Sequence, residues 1–228
     1  MTENPLTGNG DLQALLRLMA WLSPAFPIGS FAYSGGLERS VHDGLVRNAT
    51  ELADWIETLI RYGAVWNDAV LLAEAHHAGP DSIRLADVAE LAEALAGSKE
   101  RHQETMLLGE AFLSAASAWP HPHLSGLPAK LAYPVAVGAV AGVHGVACEK
   151  ALAAFLHALA SQMVSAGIRL GVSGQKDGVA ILAALEETIA DVSQRAALSN
   201  LDDLGAATVQ ADISSLRHET QGTRLFRS

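Results

Sequence analysis

This sequence predicts an all-α fold, on three observations. Apolar residues recur at helical spacing in one segment after another, as in Leu12, Leu15, Leu16, Met19 and Leu22. No segment alternates with period two for long enough to require a sheet. Hydrophobic residues make up 50% of the chain but aromatics only 5%, so the core is mostly Leu, Ala, Val and Ile, a composition that favours close-packed helices. At 228 residues the chain can bury a substantial core as one domain, or two small ones. We expect a single-domain bundle of eight to ten helices.

The elements follow in order. Residues 1–10 read as a flexible leader, 11–213 as the helical domain and 214–228 as a C-terminal docking tail. The first helix should stop before Ser23-Pro24, because a residue preceding proline avoids the α region. A short helix is expected from Leu37 to His42, with Gly44 as its stop. Asn48 followed by Glu51 has the form of a helix start, and Leu52, Trp55, Ile56, Leu59 and Ile60 then form an apolar stripe. Helical pattern runs on to His77, with a break at Gly63, and Gly79-Pro80 ends it. Asp81 or Ser82 can cap a helix through Ala96, and Ser98 one through Trp119. Pro120 to Pro128 is a Pro/His/Gly loop and the candidate subdomain seam. Three further helices are expected at Pro134–Gly145, Cys148–Leu170 and Gln175–Leu198. Val135–Val146 can also be read as a buried strand, but its Ala/Gly content favours helix. Gly138, Gly142 and Gly145 would let helix backbones approach closely.

Composition excludes several classes of function. A net charge of −10 and a pI near 5.3 oppose general nucleic-acid binding, which needs a basic surface. Cys148 is the only cysteine, so no intramolecular disulfide can form. The opening residues lack the basic and apolar regions of a signal peptide. The apolar segment Tyr133–Cys148 falls short of the roughly 20 residues that span a membrane. We expect a cytoplasmic protein with no membrane and no nucleic-acid partner.

Catalytic patterns fail as well. There is no GxSxG elbow. Gly171 to Asp177 has glycines and a lysine but not the spacing of a phosphate-binding loop, so it reads as a turn between helices. The pairs Glu186-Glu187 and Asp202-Asp203 are adjacent and read as solvated charge. His76 and His77 project about 100° apart on a helix, which sets them poorly for one ion. His121 and His123 flank Pro122, and His218 precedes Glu219, but neither pair completes a ligand set. No catalytic, cofactor or metal residue is expected.

Two segments stand out against this helical background. Ser23–Glu38, SPAFPIGSFAYSGGLE, has prolines and glycines that forbid one continuous helix, yet it carries Phe26, Ile28, Phe31 and Tyr33. Such a loop either wedges back into the body or presents a surface. In the second case Phe31 and Tyr33 are its anchors and Ser30 and Ser34 its polar rim. Glu38 falls in the first turn of the next helix, where its charge suits the helix dipole. The tail gathers Arg217, His218, Arg224 and Arg227 around Leu216, Leu225 and Phe226. Such a mixture suits docking, on its own body or on a partner.

These segments resemble the signatures of the urease accessory protein F family. The loop resembles its N-terminal block, RHETQGTRLFRS its C-terminal block, and AGIRLGVSGQ from Ala166 to Gln175 a middle block. In the middle block Val172 and Ser173 depart from the family's usual residues, as Gly222 does in the tail. The resemblance implies a non-catalytic, all-helical dimer that serves urease maturation. It would bridge accessory protein D (H in some organisms) and the GTPase accessory protein G, and through them reach apo-urease. It implies further that nickel and GTP sit on the GTPase, whose turnover this chain can modulate. The implied partner-binding residues are Ser30, Phe31, Tyr33, Ser34, Glu38, Arg169, Gln175, Arg217, His218, Glu219, Arg224, Leu225 and Phe226. Two other classes stay open, a helical metal-dependent enzyme and a dimeric ligand-binding domain. In the free protein the tail is expected to be mobile, ordering only on accessory protein D.

Overall fold

The computed structural model describes residues 5–79, 81–128 and 130–228. Among the described residues there are eleven α-helices, three 3-10 turns and no strand. The fold is all-α. The helices are α1 (Pro5–Trp21), α2 (Leu37–His42), α3 (Ala49–Tyr62), α4 (Ala64–Ala78), α5 (Ser82–Ala94), α6 (Lys99–Ala116), α7 (Tyr133–Val143), α8 (Cys148–Arg169), α9 (Gln175–Ala184), α10 (Glu186–Ala197) and α11 (Val209–His218).

The helix starts read from the sequence are present as hydrogen bonds. Asn48 accepts the Glu51 N–H at 3.0 Å, Asp81 accepts those of Ile83 and Arg84, and Ser98 accepts that of Arg101. Each satisfies an amide that the helix itself leaves without a partner. Gly63 interrupts the pattern as expected, ending α3 and opening α4.

The count exceeds the expected eight to ten for local reasons. Gln175–Leu198 is two helices, broken at Leu185. Helix α11 was not foreseen, and it takes in the first five residues of the expected tail. Helix α1 starts at Pro5, inside the segment expected as a leader, since proline suits a first helical position. Residues 1–4 of that leader, and Pro80 of the helix stop at Gly79-Pro80, lie outside the described residues.

Helices α4 and α7 pack on each other at the centre, each buried along most of its length. A helix that is apolar nearly all round belongs in such a place. Glycine sets their separation. A Cβ on Gly138 would stand 2.2 Å from the Leu72 carbonyl oxygen, and one on Gly142 2.5 Å from that of His76. Helices α3, α5, α6, α8 and α10 surround this pair. The loop read as a seam joins α6 to α7, which pack directly against each other.

Helix α8, at 22 residues, is long and apolar enough to cross a membrane by length and composition alone. Half of its most apolar window is buried inside the fold, as in a core helix. In α1 the inward face is Ala14, Leu18 and Trp21. Leu12, Leu15, Leu16 and Met19, the residues that announced this helix, point outward.

Candidate functional site

The signature loop is both a wedge and a surface. Its prolines break the helix after Trp21, and its turns send alternate aromatics inward and outward. Phe26 packs 5.6 Å from the Phe112 ring and 6.3 Å from Trp119. Tyr33 is 6% exposed, so it is a core residue and not the surface anchor expected. Phe31, on the 3-10 turn Ser30–Ala32, is 73% exposed and fits that role. Ser34 is buried too, which removes it from the expected rim. Gly36 has φ +82, and a Cβ there would come 3.0 Å from the Ser215 amide nitrogen of α11. Only glycine lets α11 lie this close to the loop.

The tail does not hang free. It runs back over the loop and docks on the body of its own chain, contrary to the expectation of a mobile segment. The physical reason is Glu38. Its buried carboxylate accepts the backbone N–H groups of Leu225 at 2.7 Å and Phe226 at 2.9 Å, and lies 3.2 Å from His218 Nε2. Glu38 therefore does more than complement its own helix: it organises the chain terminus. The other ring nitrogen of His218 lies 2.6 Å from Glu100, which also pairs with Arg224. The His218 side chain is 0% exposed, so both its nitrogens are satisfied by protein carboxylates.

The last residue closes the clamp. The Ser228 carbonyl accepts the Ser34 amide at 3.0 Å and also the Ser34 hydroxyl. The Ser228 hydroxyl donates to Glu104 at 2.8 Å, and Arg227 N–H donates to the Ala32 carbonyl at 2.8 Å. Arg169 spans the joint. Its guanidinium lies 4.2 Å from the centre of the buried Phe226 ring and donates to the Phe31 carbonyl. The clamp thus brings together Phe31, Ser34, Glu38, Arg169, His218, Arg224, Leu225 and Phe226.

The remaining expected residues sit at its margin or outside it. Arg217 pairs with Asp43 at 3.4 Å, and Glu219 accepts the Lys99 amide at 2.8 Å. Ser30 begins the 3-10 turn beside Phe31. Gln175 opens α9 on an exposed surface and, among the described residues, makes none of the clamp's hydrogen bonds. Sequence reasoning missed Glu100, Glu104 and Ser228. Nothing in their local pattern separates them from surface polar residues, since their partners lie more than 100 residues away.

The electrostatics explain why the clamp is stable. Burial by itself would raise the Glu38 carboxyl, but the bonds from Leu225, Phe226 and His218 outweigh it and hold the group below the usual glutamate range. Asp43, bonded first by Arg39, is lowered to about 2. Deeper in, Arg101 lies between Asp68 and Glu104, and burial pushes both of those carboxyls upward. A cavity of about 320 Å³ lies between the loop and α8, lined by Ile28, Phe31, His157 and Arg169 among others.

One histidine expectation is also revised. His76 and His77 were expected to be set poorly for one ion, yet with Cys148 they offer ligand atoms all within 4.8 Å of one another.

These features define an all-helical domain whose loop after α1 and C-terminal tail are tied into one polar clamp beside the exposed Phe31 and Leu225. The comparisons agree on which such domain it is. The profile of the UreF family matches residues 46–186. "Urease accessory protein UreF" of Rhizobium leguminosarum bv. trifolii is 71% identical over 223 residues, covering 98% of this chain and 100% of that protein. The proteins of the same name from Rhizobium johnstonii and Agrobacterium fabrum are 72% and 62% identical over the same coverage. The chain belongs to the UreF family.

Proposed function

We propose that this chain serves urease maturation as a non-catalytic scaffold, bridging accessory protein D or H and the GTPase accessory protein G. Its relatives are named urease accessory proteins, which supports the pathway. The single observation that carries the scaffold reading is the clamp. Its acids are spent on amides, a histidine and arginines that hold two segments together, and the result is a fixed display of Phe31 and Leu225, which are 73% and 53% exposed. A preorganised apolar anchor loses little entropy on binding, which suits a docking surface. We assign Phe31 to the GTPase and the docked tail, with Arg224 and Leu225, to protein D or H. Nickel as cargo and GTP as substrate then belong to the GTPase, whose turnover this contact modulates. The outward leucines of α1 supply the contact of a homodimer.

The test is capture of purified accessory protein G by the wild-type chain and by Phe31→Ala, with melting temperature measured on both. An anchor of this kind is worth about 2 kcal/mol, roughly 30-fold in affinity. The expected variant melts like wild type and captures weakly. Unchanged capture by a normally folded variant overturns the assignment.

A further inference from the structure

Away from the clamp, three metal-ligating side chains meet. His76 and His77 lie in the last turn of α4, and Cys148 is the first residue of α8. One ligand atom from each lies within 4.8 Å of the others. The meeting depends on the close approach of α7, where Gly142 lets the backbone pass against His76 and the chain then turns into α8.

We propose that His76, His77 and Cys148 form a site for a borderline divalent transition metal, of the zinc and nickel class, with its fourth position open.

The strongest support is the state of His76. Its Nε2 lies 2.7 Å from the Val146 carbonyl oxygen, an acceptor only, so this nitrogen carries the proton. In the neutral ring Nδ1 then keeps the lone pair, and it is buried with no hydrogen-bond partner among the described residues. A histidine that donates one N–H to a backbone carbonyl while its other nitrogen waits is the usual arrangement of a metal-bound imidazole. The other ligands suit the same role. His77, the next residue of α4, offers a second imidazole nitrogen within 4.8 Å of the other ligand atoms. Cys148 is a free cysteine, and a thiol ligates a metal as its thiolate. Binding therefore replaces the thiol proton with the metal, releasing one proton per ion, and affinity rises with pH.

Ligand chemistry selects the ion. Two imidazoles and a thiolate suit zinc and nickel and discriminate against magnesium and calcium, which require oxygen. Bonds of about 2.0–2.3 Å place tetrahedral ligand atoms roughly 3.3–3.8 Å apart, so closing the site takes about 1 Å of side-chain rotation. His77 is exposed and free to supply it. Three protein ligands leave room for a water or for a group from another molecule, as in an exchange site and unlike a closed structural one.

The inference does not rest on the scaffold reading, since a chain that captures its partners normally can bind or lack this metal. The untagged, metal-free protein is titrated separately with zinc, nickel and magnesium chloride by competition with a chromogenic chelator. Circular dichroism runs alongside, and cobalt substitution reports thiolate-to-metal charge transfer. The expected result is one zinc or nickel ion per chain and no competition by magnesium. About one proton should be released per ion, and the charge-transfer band should be absent in Cys148→Ser. Cys148→Ser and the exposed His77→Ala should each weaken binding at least tenfold with helical content retained. No saturable binding, or affinity unchanged in both folded variants, overturns the proposal.

Discussion

The carboxylate of Glu38 accepts the backbone N–H of Phe226 at 2.9 Å, across 188 residues of sequence. It accepts the N–H of Leu225 as well, so a single acid in the first turn of α2 fixes the chain terminus. A carboxylate has acceptor sites for several donors at once, which is why one side chain can hold two amides and a histidine. Backbone donors also make this contact insensitive to which side chains follow.

Glu38→Gln keeps the size of the side chain but loses the charge and one acceptor oxygen. Hydrogen bonds to a charged group contribute about 1.5–3 kcal/mol, so a loss of about 2 kcal/mol is expected at neutral pH. The pH dependence follows from the sign of the shift. Glu38 titrates below its ordinary 4.5 in the folded chain, so its contribution is complete above 4.5 and fades as pH falls through the lower folded value. Glu104, raised by burial, has the opposite dependence, but it is present in both proteins and cancels in the difference. Urea melts from pH 7 down to pH 3 should show the gap between wild type and variant closing in acid. A constant gap means the charge is not what holds the tail.

Phe31 and Tyr33 are two residues apart and should behave as opposites. Tyr33→Ala removes a buried ring and should cost about 3–5 kcal/mol, the range for large aromatic truncations. Phe31→Ala removes a ring already in water and should leave stability within about 0.5 kcal/mol. Thermal melts of the pair decide it. Equal losses would mean the loop turns in solution expose both rings or neither.

Gly138→Ala places a methyl group 2.2 Å from the Leu72 carbonyl oxygen, a backbone atom that cannot rotate away. Helices α4 and α7 must separate, and overpacking of this kind costs about 1–3 kcal/mol or more. Gly126→Ala is the matched control, because its Cβ meets nothing within 4 Å among the described residues. Chemical denaturation should show a large loss in the first and almost none in the second.

The outward row Leu12, Leu15, Leu16 and Met19 predicts self-association through α1. Met19→Glu sets a charge in that row without touching the inward residues Leu18 and Trp21. Sedimentation should show wild type as a dimer and the variant as a monomer of unchanged helical content. A dimer that persists places the contact elsewhere.

Much of this fold was legible because helices are local. Asn48, Asp81 and Ser98 cap the helices they were read to cap, since each bonds an amide two or three residues on. The loop from Ser23 and the tail were legible as unusual, for their apolar content among turn residues. Their mutual contact was not, because no period or spacing encodes a pairing across 188 residues. The same holds for His76, His77 and Cys148. Adjacent histidines diverge on a bare helix, and only the approach of α7 and α8 brings in the third ligand. The α1 stripe shows the converse limit. Its period gave the helix, but period alone does not say which apolar face turns inward.

Removal of Gly222–Ser228 tests how deeply the tail belongs to the fold. A free docking peptide could be cut without harm to the helices. Here the cut takes away the buried Phe226 ring, the two amides on Glu38 and the Ser228 hydroxyl on Glu104. Losing a buried aromatic side chain costs about 3–5 kcal/mol, and each carboxylate left without its donor adds about 1–3 kcal/mol. Most domains are stable by only about 5–15 kcal/mol, so the truncated chain should be severely destabilised. Its failure to bind accessory protein D would then say nothing specific about the interface. Leu225→Ala separates the two effects, because that side chain is 53% exposed while its backbone N–H still reaches Glu38. Melting temperature should fall sharply in the truncation and little in Leu225→Ala. Isothermal titration with accessory protein D should weaken in Leu225→Ala despite its intact fold. If the truncated chain melts like wild type, the tail is not part of the body, and Glu38 does not hold it in solution.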